Sequence, residues 1–486
     1  MIVLKTVAAN IRNNSALCFK TVLLYFIICL FGYQLFANND SNDIELKHTF
    51  GIKGAWQRVL SINESIRLEM LNTQKAKNLK LEAKLSFLPE VNLSAIYIHL
   101  DKPSTIDLIQ DRAGFNQIQA GIGNNPPLSN ILNIIGTPIT ILKQDSIFSA
   151  LNIIYPLYTG NKRLMGAKIA NVLAKDSHEA LRLRELATFE ELVGIYYAVI
   201  LNKEILHSCM EIEQSAYIHY ENAKKLNKLG QIARLELLAA ESGLDKAKNA
   251  TLAAKNALEI SQLALDSILG SNQAIPISSL SFQTYILKNE QHYIDMTMQN
   301  YPALKIAANG RQIADYKRYI AFGNFMPKIA AFGSYMVTSS DQRFRQIMPN
   351  WLIGLNASWS IISPKGKFPQ YQIAKIEQIH ADTMESKAIK DMQLLIKKSY
   401  KQAIFKHEER ENLASSIMLA RENVRLQEKA FLQGISTSNE VNDARNALLS
   451  ILVEQQRLAY EEIIYLAKLM ALSGEIDEFF NIVEKY

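Results

Sequence analysis

Eight histidines are the residues of this chain best suited to chemistry near neutral pH: His48, His99, His178, His207, His219, His292, His380 and His407. Zinc binding would need them paired at helical spacing or clustered with cysteine. The sequence contains neither an H-E-x-x-H pair nor a Cys-His cluster. Gly121-Ile122-Gly123 runs into Asn124-Asn125-Pro126-Pro127 and not into a helix, so a dinucleotide fingerprint fails at its third glycine. Ser363 to Lys367 (SPKGK) lacks the spacing of a phosphate-binding loop. Most histidines are therefore expected in water, and the sequence implies no enzyme and no catalytic, cofactor-binding or metal site.

The three cysteines lead to the N-terminus. Cys18 and Cys29 lie in or beside the one long apolar run, Thr21 to Ala37, which follows Lys5, Arg12 and Lys20 and precedes the first acid, Asp40. A basic start, a short apolar run and a small residue before polar NNDSND have the layout of a cleaved secretory signal, so residues 1–37 are expected to be removed. The exported chain would keep only Cys209 and form no internal disulfide. Leu17 and Ile28 precede the leader cysteines, which argues against lipid attachment. Loss of the leader removes three positive charges and no negative ones, so the formal charge falls from +6 to +3, and no nucleic-acid-binding balance survives.

The elements that would have to position any site are written twice. Leu151, Ile169, Tyr196, Gly230, Glu236, Leu244 and Gly270 recur as Leu355, Ile373, Tyr400, Gly434, Glu440, Leu448 and Gly474, always 204 residues later. Upstream, Gln74, Ala83, Phe87, Pro89 and Tyr97 recur as Gln312, Ala321, Phe325, Pro327 and Tyr335 at an offset of 238. The difference places 34 extra residues of the first copy between Tyr97 and Leu151. The first repeat spans 38–270, an intervening segment 271–299, the second repeat 300–474 and a tail 475–486.

Each copy reads as helix, strand, loop, strand, very long helix, turn, very long helix. Val91, Leu93, Ala95 and Tyr97 alternate with Asn92 and Ser94, and Leu151, Ile153 and Tyr155 with Asn152. Ile329 to Val337 and Trp351 to Ile361 repeat the alternation in the second copy. The strands alone fit either a transmembrane barrel or a soluble sandwich with one wet face. The helices decide between them. No proline falls between Pro156 and Pro276 or after Pro369, so glycines alone interrupt helices at 163–229, 232–270, 367–432 and 437–474. A helix of 67 residues would reach roughly 100 Å and needs partners along its whole length. Stripes such as Leu186, Phe189, Val193, Tyr196 and Ile200, or Val441, Ala444, Leu448, Ile451, Gln455, Leu458, Glu462, Tyr465 and Leu469, supply coiled-coil seams, the last weakened by Gln455 and Glu462.

Four spanning strands cannot close a barrel, for which about 8 is the practical minimum, so the chain must share one. The order of elements, the Leu88-Pro89 and Met326-Pro327 strand starts, PLYTGNK at Pro156 to Lys162, and the Phe431-Leu432-Gln433-Gly434 turn followed by Ser436 to Ala444 (STSNEVNDA) resemble the TolC family of outer-membrane efflux and secretion channels. The resemblance implies long antiparallel helical hairpins with four transmembrane strands per chain. In a homotrimer, the hairpins 89–158 and 327–362 would share a twelve-stranded barrel set in outer-membrane lipid, with a helical tunnel running into the periplasm. It further implies an exit duct for a tripartite efflux pump or type I secretion system. A periplasmic adaptor and an inner-membrane transporter would be its partners, and the adaptor would dock near the turns at Gly230 and Gly434. Segment 271–299 and the tail would belt the tunnel. The main rival is a periplasmic or surface coiled-coil scaffold that never spans a membrane, which would leave the strands unexplained.

In that family the closed tip is held by a tyrosine three residues before the second-turn glycine, an arginine two residues after it, and an aspartate on the first turn. Here Phe431, Ser436 and Glu236 hold those places. Arg234, on the first turn, stands opposite Ser438 in the repeat register and near the expected position of Glu440 and Asp443, so the basic partner is expected to have moved to the first hairpin.

Overall fold

The computed structural model describes residues 49–107, 109–121, 131–135, 137–280, 285–338, 349–364 and 366–484. The expected signal segment with its two cysteines, and Ile122-Gly123 of the glycine pair, lie outside these residues.

In chain order the elements are β1 (Thr49–Phe50), α1 (Ile52–Ile62), α2 (Glu64–Leu85), β2 (Glu90–His99), β3 (Ser104–Ile106), α3 (Arg112–Gly121), β4 (Ile139–Leu142), β5 (Asp145–Tyr158), α4 (Lys162–Lys228) and α5 (Arg234–Leu269). There follow β6 (Ile275–Pro276), α6 (Glu290–Asn300), α7 (Pro302–Gly323), β7 (Lys328–Thr338), β8 (Trp351–Ser358), α8 (Lys367–Leu432), α9 (Ser438–Ser473) and α10 (Ile476–Val483). Long helical hairpins and antiparallel strands are both present, as the periodicities require. The ends of α7 stand 238 residues after those of α2, and the ends of α9 stand 204 after those of α5. The extra residues of the first copy hold the β3–β4 ribbon and α3.

Strands β2, β5, β7 and β8 form one antiparallel sheet in that order, with Leu93 opposite Leu151, Leu151 opposite Tyr335, and Leu355 opposite Ala331. Among the described residues β2 and β8 are each paired on one edge only. Their apolar face has no cover: Leu355 is 72% exposed and Tyr97 64%. On the other face Ser334 donates to Asn152 Oδ1 at 2.8 Å. Among the described residues no helix is long and apolar enough to cross a membrane.

The joint between sheet and helices explains the PLYTGNK sequence. Gly160 has φ +63°, and a Cβ there would lie 2.2 Å from the carbonyl oxygen of Gly323. Only glycine permits that close approach of two backbones in the left-handed conformation. Arg163 then donates to the carbonyls of Pro156 and Ser86 and lies over the Phe87 ring, its guanidinium carbon 4.8 Å from the centroid, fixing strand end to helix start.

The largest core lies midway along the long helices. There α1 packs on α4 and α5, α6 on α8 and α9, and α10 on the C-terminal half of α9. Phe189 meets Trp56, Phe479 and Phe480 edge to face at 5.4 to 5.8 Å between centroids. The buried Tyr196 hydroxyl donates to the Phe50 carbonyl at 2.7 Å. The intervening segment and the tail thus meet on one stretch of the helices. Glu462 does not weaken its stripe by facing water: it is fully buried, 2.7 Å from both His407 Nδ1 and Arg410 Nε. A guanidinium and a ring nitrogen facing it are what make a buried carboxylate tolerable.

Candidate functional site at the helical tip

The two turns that end the long hairpins are built alike. Gly230 and Gly434 both have φ +71°. In each turn the residue after the glycine donates back to a helix carbonyl at 2.9 Å, Gln231 to Leu226 and Ile435 to Ala430, which closes the helix with a left-handed glycine. The helices leaving the turns differ. Thr437 caps α9 in a reciprocal box with Glu440, whose Oε2 accepts from the Thr437 amide at 2.7 Å and from the Ser436 hydroxyl at 2.8 Å. Those bonds hold the Glu440 carboxyl below the usual range, the Thr437 amide contributing most. The residue before α5 is Ala233, which has no side chain able to cap.

The eight sequence-chosen residues are only partly brought together. Glu236 reaches across from α5, and its Oε2 accepts from the Ser438 amide at 2.6 Å, a charged bond to a helix N-terminus. Phe431 is 2% exposed and packs with Ala223, Ala240 and Val441. Arg234 and Asp443 are exposed. Within the chain no ion pair joins Arg234 to Glu440 or Asp443 among the described residues.

Above the turns stands a polar cluster that the sequence reading missed. Arg445, 3% exposed, donates from Nη2 to Glu428 Oε1 at 2.6 Å and from Nε to Ser215 Oγ at 2.9 Å, while Ser215 donates to the same Glu428 oxygen at 2.7 Å. One carboxylate and one hydroxyl thereby tie α9 and α8 to α4. His219, one turn along α4, is 4% exposed and stacks edge-on against Phe431 at 4.4 Å between centroids. Burial, with Arg445 adding to it, pushes its pKa down to about 4. His219 is an exception to the expectation that most histidines lie in water, because its ring fills space between α4 and α8. The available signal was Ser215 and His219 at a spacing of four on one face of α4, with Glu428 and Phe431 three apart on α8.

The site is one of packing and ion pairs. Among the described residues no three histidine, cysteine, aspartate or glutamate side chains stand close enough to hold a metal.

Comparison with known proteins agrees with this architecture. Residues 143–271 match the model of the outer membrane efflux protein family. The Campylobacter jejuni CmeC outer membrane channel superposes with a TM-score of 0.70 at 16% identity, covering 93% of this chain and 92% of that one. A membrane protein from Pseudomonas aeruginosa gives 0.73 at 15%, covering 90% and 96%. The Neisseria gonorrhoeae MtrE outer membrane channel, in its open state, gives 0.68 at 15%, covering 91% and 95%. At these identities the likeness establishes the fold, and two of these three structures are described as outer membrane channels. No curated protein matches at the level of sequence.

Proposed function

We propose that three copies of this chain form a duct through a bacterial outer membrane, each giving four strands to a twelve-stranded barrel and two long hairpins to a tunnel below it. One observation carries the reading: a four-stranded sheet with an uncovered apolar face, its two edges unpaired among the described residues, is continuous with helices of 67 and 66 residues. Such edges cannot remain open in lipid, and at 1.5 Å per residue the helices extend roughly 100 Å from the sheet. The duct serves as the exit of a tripartite efflux pump or type I secretion system. It receives cargo from an inner-membrane transporter through a periplasmic adaptor that docks at the turns of Gly230 and Gly434. The match to the efflux family over 143–271 supports efflux.

Membrane fractionation followed by an unboiled gel tests the reading. The protein should sediment with outer membrane and run as a large, heat-sensitive oligomer, and a monomer in the soluble fraction would refute it. Topology gives a second test. A protease-cleavable tag after Asp101, in the turn beyond β2, should be cut in intact cells, while one at Gly230 stays protected. Cleavage at both sites or at neither would overturn the orientation.

The turns are also where the tunnel closes. Arg234, exposed at the start of α5, takes the role of the missing arginine across copies. An exposed pair contributes only about 0–1 kcal/mol, but three around an axis can bias a gate whose states differ by a few kcal/mol. Arg234→Ala should raise single-channel conductance in planar bilayers, and high salt should partly reproduce the rise in the parent. Unchanged conductance at low salt would leave closure to packing around Phe431.

A further inference from the structure

The fixed offsets make every contact between the two copies within the chain a template. A contact that runs from a first-copy element to a second-copy element has an image that runs from second to first, obtained by adding the offset to one partner and subtracting it from the other. Two such contacts matter. In the sheet, β5 pairs with β7, with Leu151 opposite Tyr335 and Asn152 opposite Ser334. At the tip, Glu236 of α5 caps α9 at the Ser438 amide. Their images would join β8 to β2, and Glu440 to the N-terminus of α5. Inside one chain both images are empty. The outer edges of β2 and β8 are unpaired among the described residues, and Ala233 leaves the start of α5 without a side-chain cap.

We propose that neighbouring copies fill these images, which fixes the register of the surface through which one copy binds the next. The proposal rests on the shared-barrel reading above. Strand β8 pairs antiparallel with β2 of the next copy, Leu355 opposite its Tyr97 and Asn356 opposite its Ile96. At the tip, the Glu440 carboxylate accepts from the Arg234 amide of the next copy and faces its guanidinium. Independent features fit. Leu355 and Tyr97 lie on the same exposed apolar face as Leu151 and Tyr335, so the register keeps that face continuous across the seam, whereas a slip of one residue would turn it inward. At the tip, the Glu440 bonds within its own chain all fall on Oε2, leaving Oε1 for the neighbour. An uncapped N-terminus that also carries an exposed arginine attracts a carboxylate twice over.

Disulfide trapping in the full chain tests the register, with Cys18, Cys29 and Cys209 replaced by alanine. Directly opposite residues in an antiparallel ladder have Cα atoms about 4.5 or 5.5 Å apart, within disulfide range. Oxidised outer-membrane vesicles carrying Tyr97→Cys with Leu355→Cys, or Ile96→Cys with Asn356→Cys, should give covalent dimers and trimers on non-reducing gels. The yield should be at least about tenfold above pairs slipped by two, Leu355→Cys with Ala95→Cys or with His99→Cys. At the tip, Arg234→Cys with Glu440→Cys should link copies, while Glu236→Cys with Ser438→Cys should leave the chain at monomer size. Slipped pairs that cross-link as well, or an unboiled trimer that gives no cross-link at either designed position, would overturn the register and leave the duct standing. Loss of the trimer itself in the parent would refute the duct and the register together.

Discussion

Leu355→Arg should destabilise the assembled barrel by about 2–4 kcal/mol per protomer, and Asn356→Arg by much less. The two residues are neighbours on β8, so their difference isolates which way each faces. Leu355 stands opposite Ala331, on the face that also carries Tyr335, Leu151 and Leu93, all three exposed in the single chain as Leu355 is. Asn356 stands opposite Ala330, on the face where Ser334 bonds Asn152. If the first face meets hydrocarbon, an arginine there must give up its hydration near mid-membrane, while on the second face it remains in a water-filled lumen. The readout is the fraction of heat-sensitive trimer on unboiled gels as denaturant rises. Equal loss for both substitutions would contradict the assigned parity, and with it the transmembrane reading of the sheet.

The alternation of faces was legible in the sequence because successive residues of a strand point to opposite sides, and the pairing of Leu355 with Ala331 and of Asn356 with Ala330 follows it. The long helices were legible for a related reason: glycines are their only interruptions, so the helix expected over 163–229 occurs as Lys162–Lys228 and the one expected over 232–270 as Arg234–Leu269. Heptad stripes reveal which face of a helix is buried but not which helix covers it. The stripe through Ala444 therefore does not reveal that Arg445 is buried against residues from α4 and α8. The repeat concealed it further. At an offset of 204, Arg445 and Glu428 correspond to Glu241 and Lys224, with the charges exchanged, and Ser215 corresponds to Leu419, which has no hydroxyl to give. The polar bolt is thus particular to the seam within the chain. The short helices α1 and α10 meet Phe189 through Trp56 and Phe479, and α6 meets α8 through Tyr293 and Tyr400, contacts between distant parts of the chain that no local pattern reveals.

Arg445→Ala should destabilise the tip by about 2–3 kcal/mol per protomer, below the roughly 3–5 kcal/mol of a fully buried pair because Glu428 keeps some contact with water. The loss arises mainly from stranding Glu428 and Ser215 without their donor. Arg445→Met combined with Glu428→Leu should therefore cost less than Arg445→Ala alone, since it removes both charges and keeps the volume. His219 adds a dependence on pH whose sign follows from its lowered pKa. Unfolded, the imidazole takes up a proton near pH 6.5; folded, it resists until about pH 4. Its contribution is complete above the unfolded value and is lost as the pH falls through that window, where a proton on His219 would face Arg445 and disturb the packing on Phe431. Arg445→Ala removes the repulsive cation, so the window should move upward and narrow, while burial keeps it from vanishing. The temperature at which the detergent-extracted oligomer dissociates, followed across this pH range, measures both effects. His219→Gln should flatten the acid limb. If that variant keeps the parent's slope, the acid sensitivity belongs to other groups, and the cluster holds α4 to α9 without sensing protons.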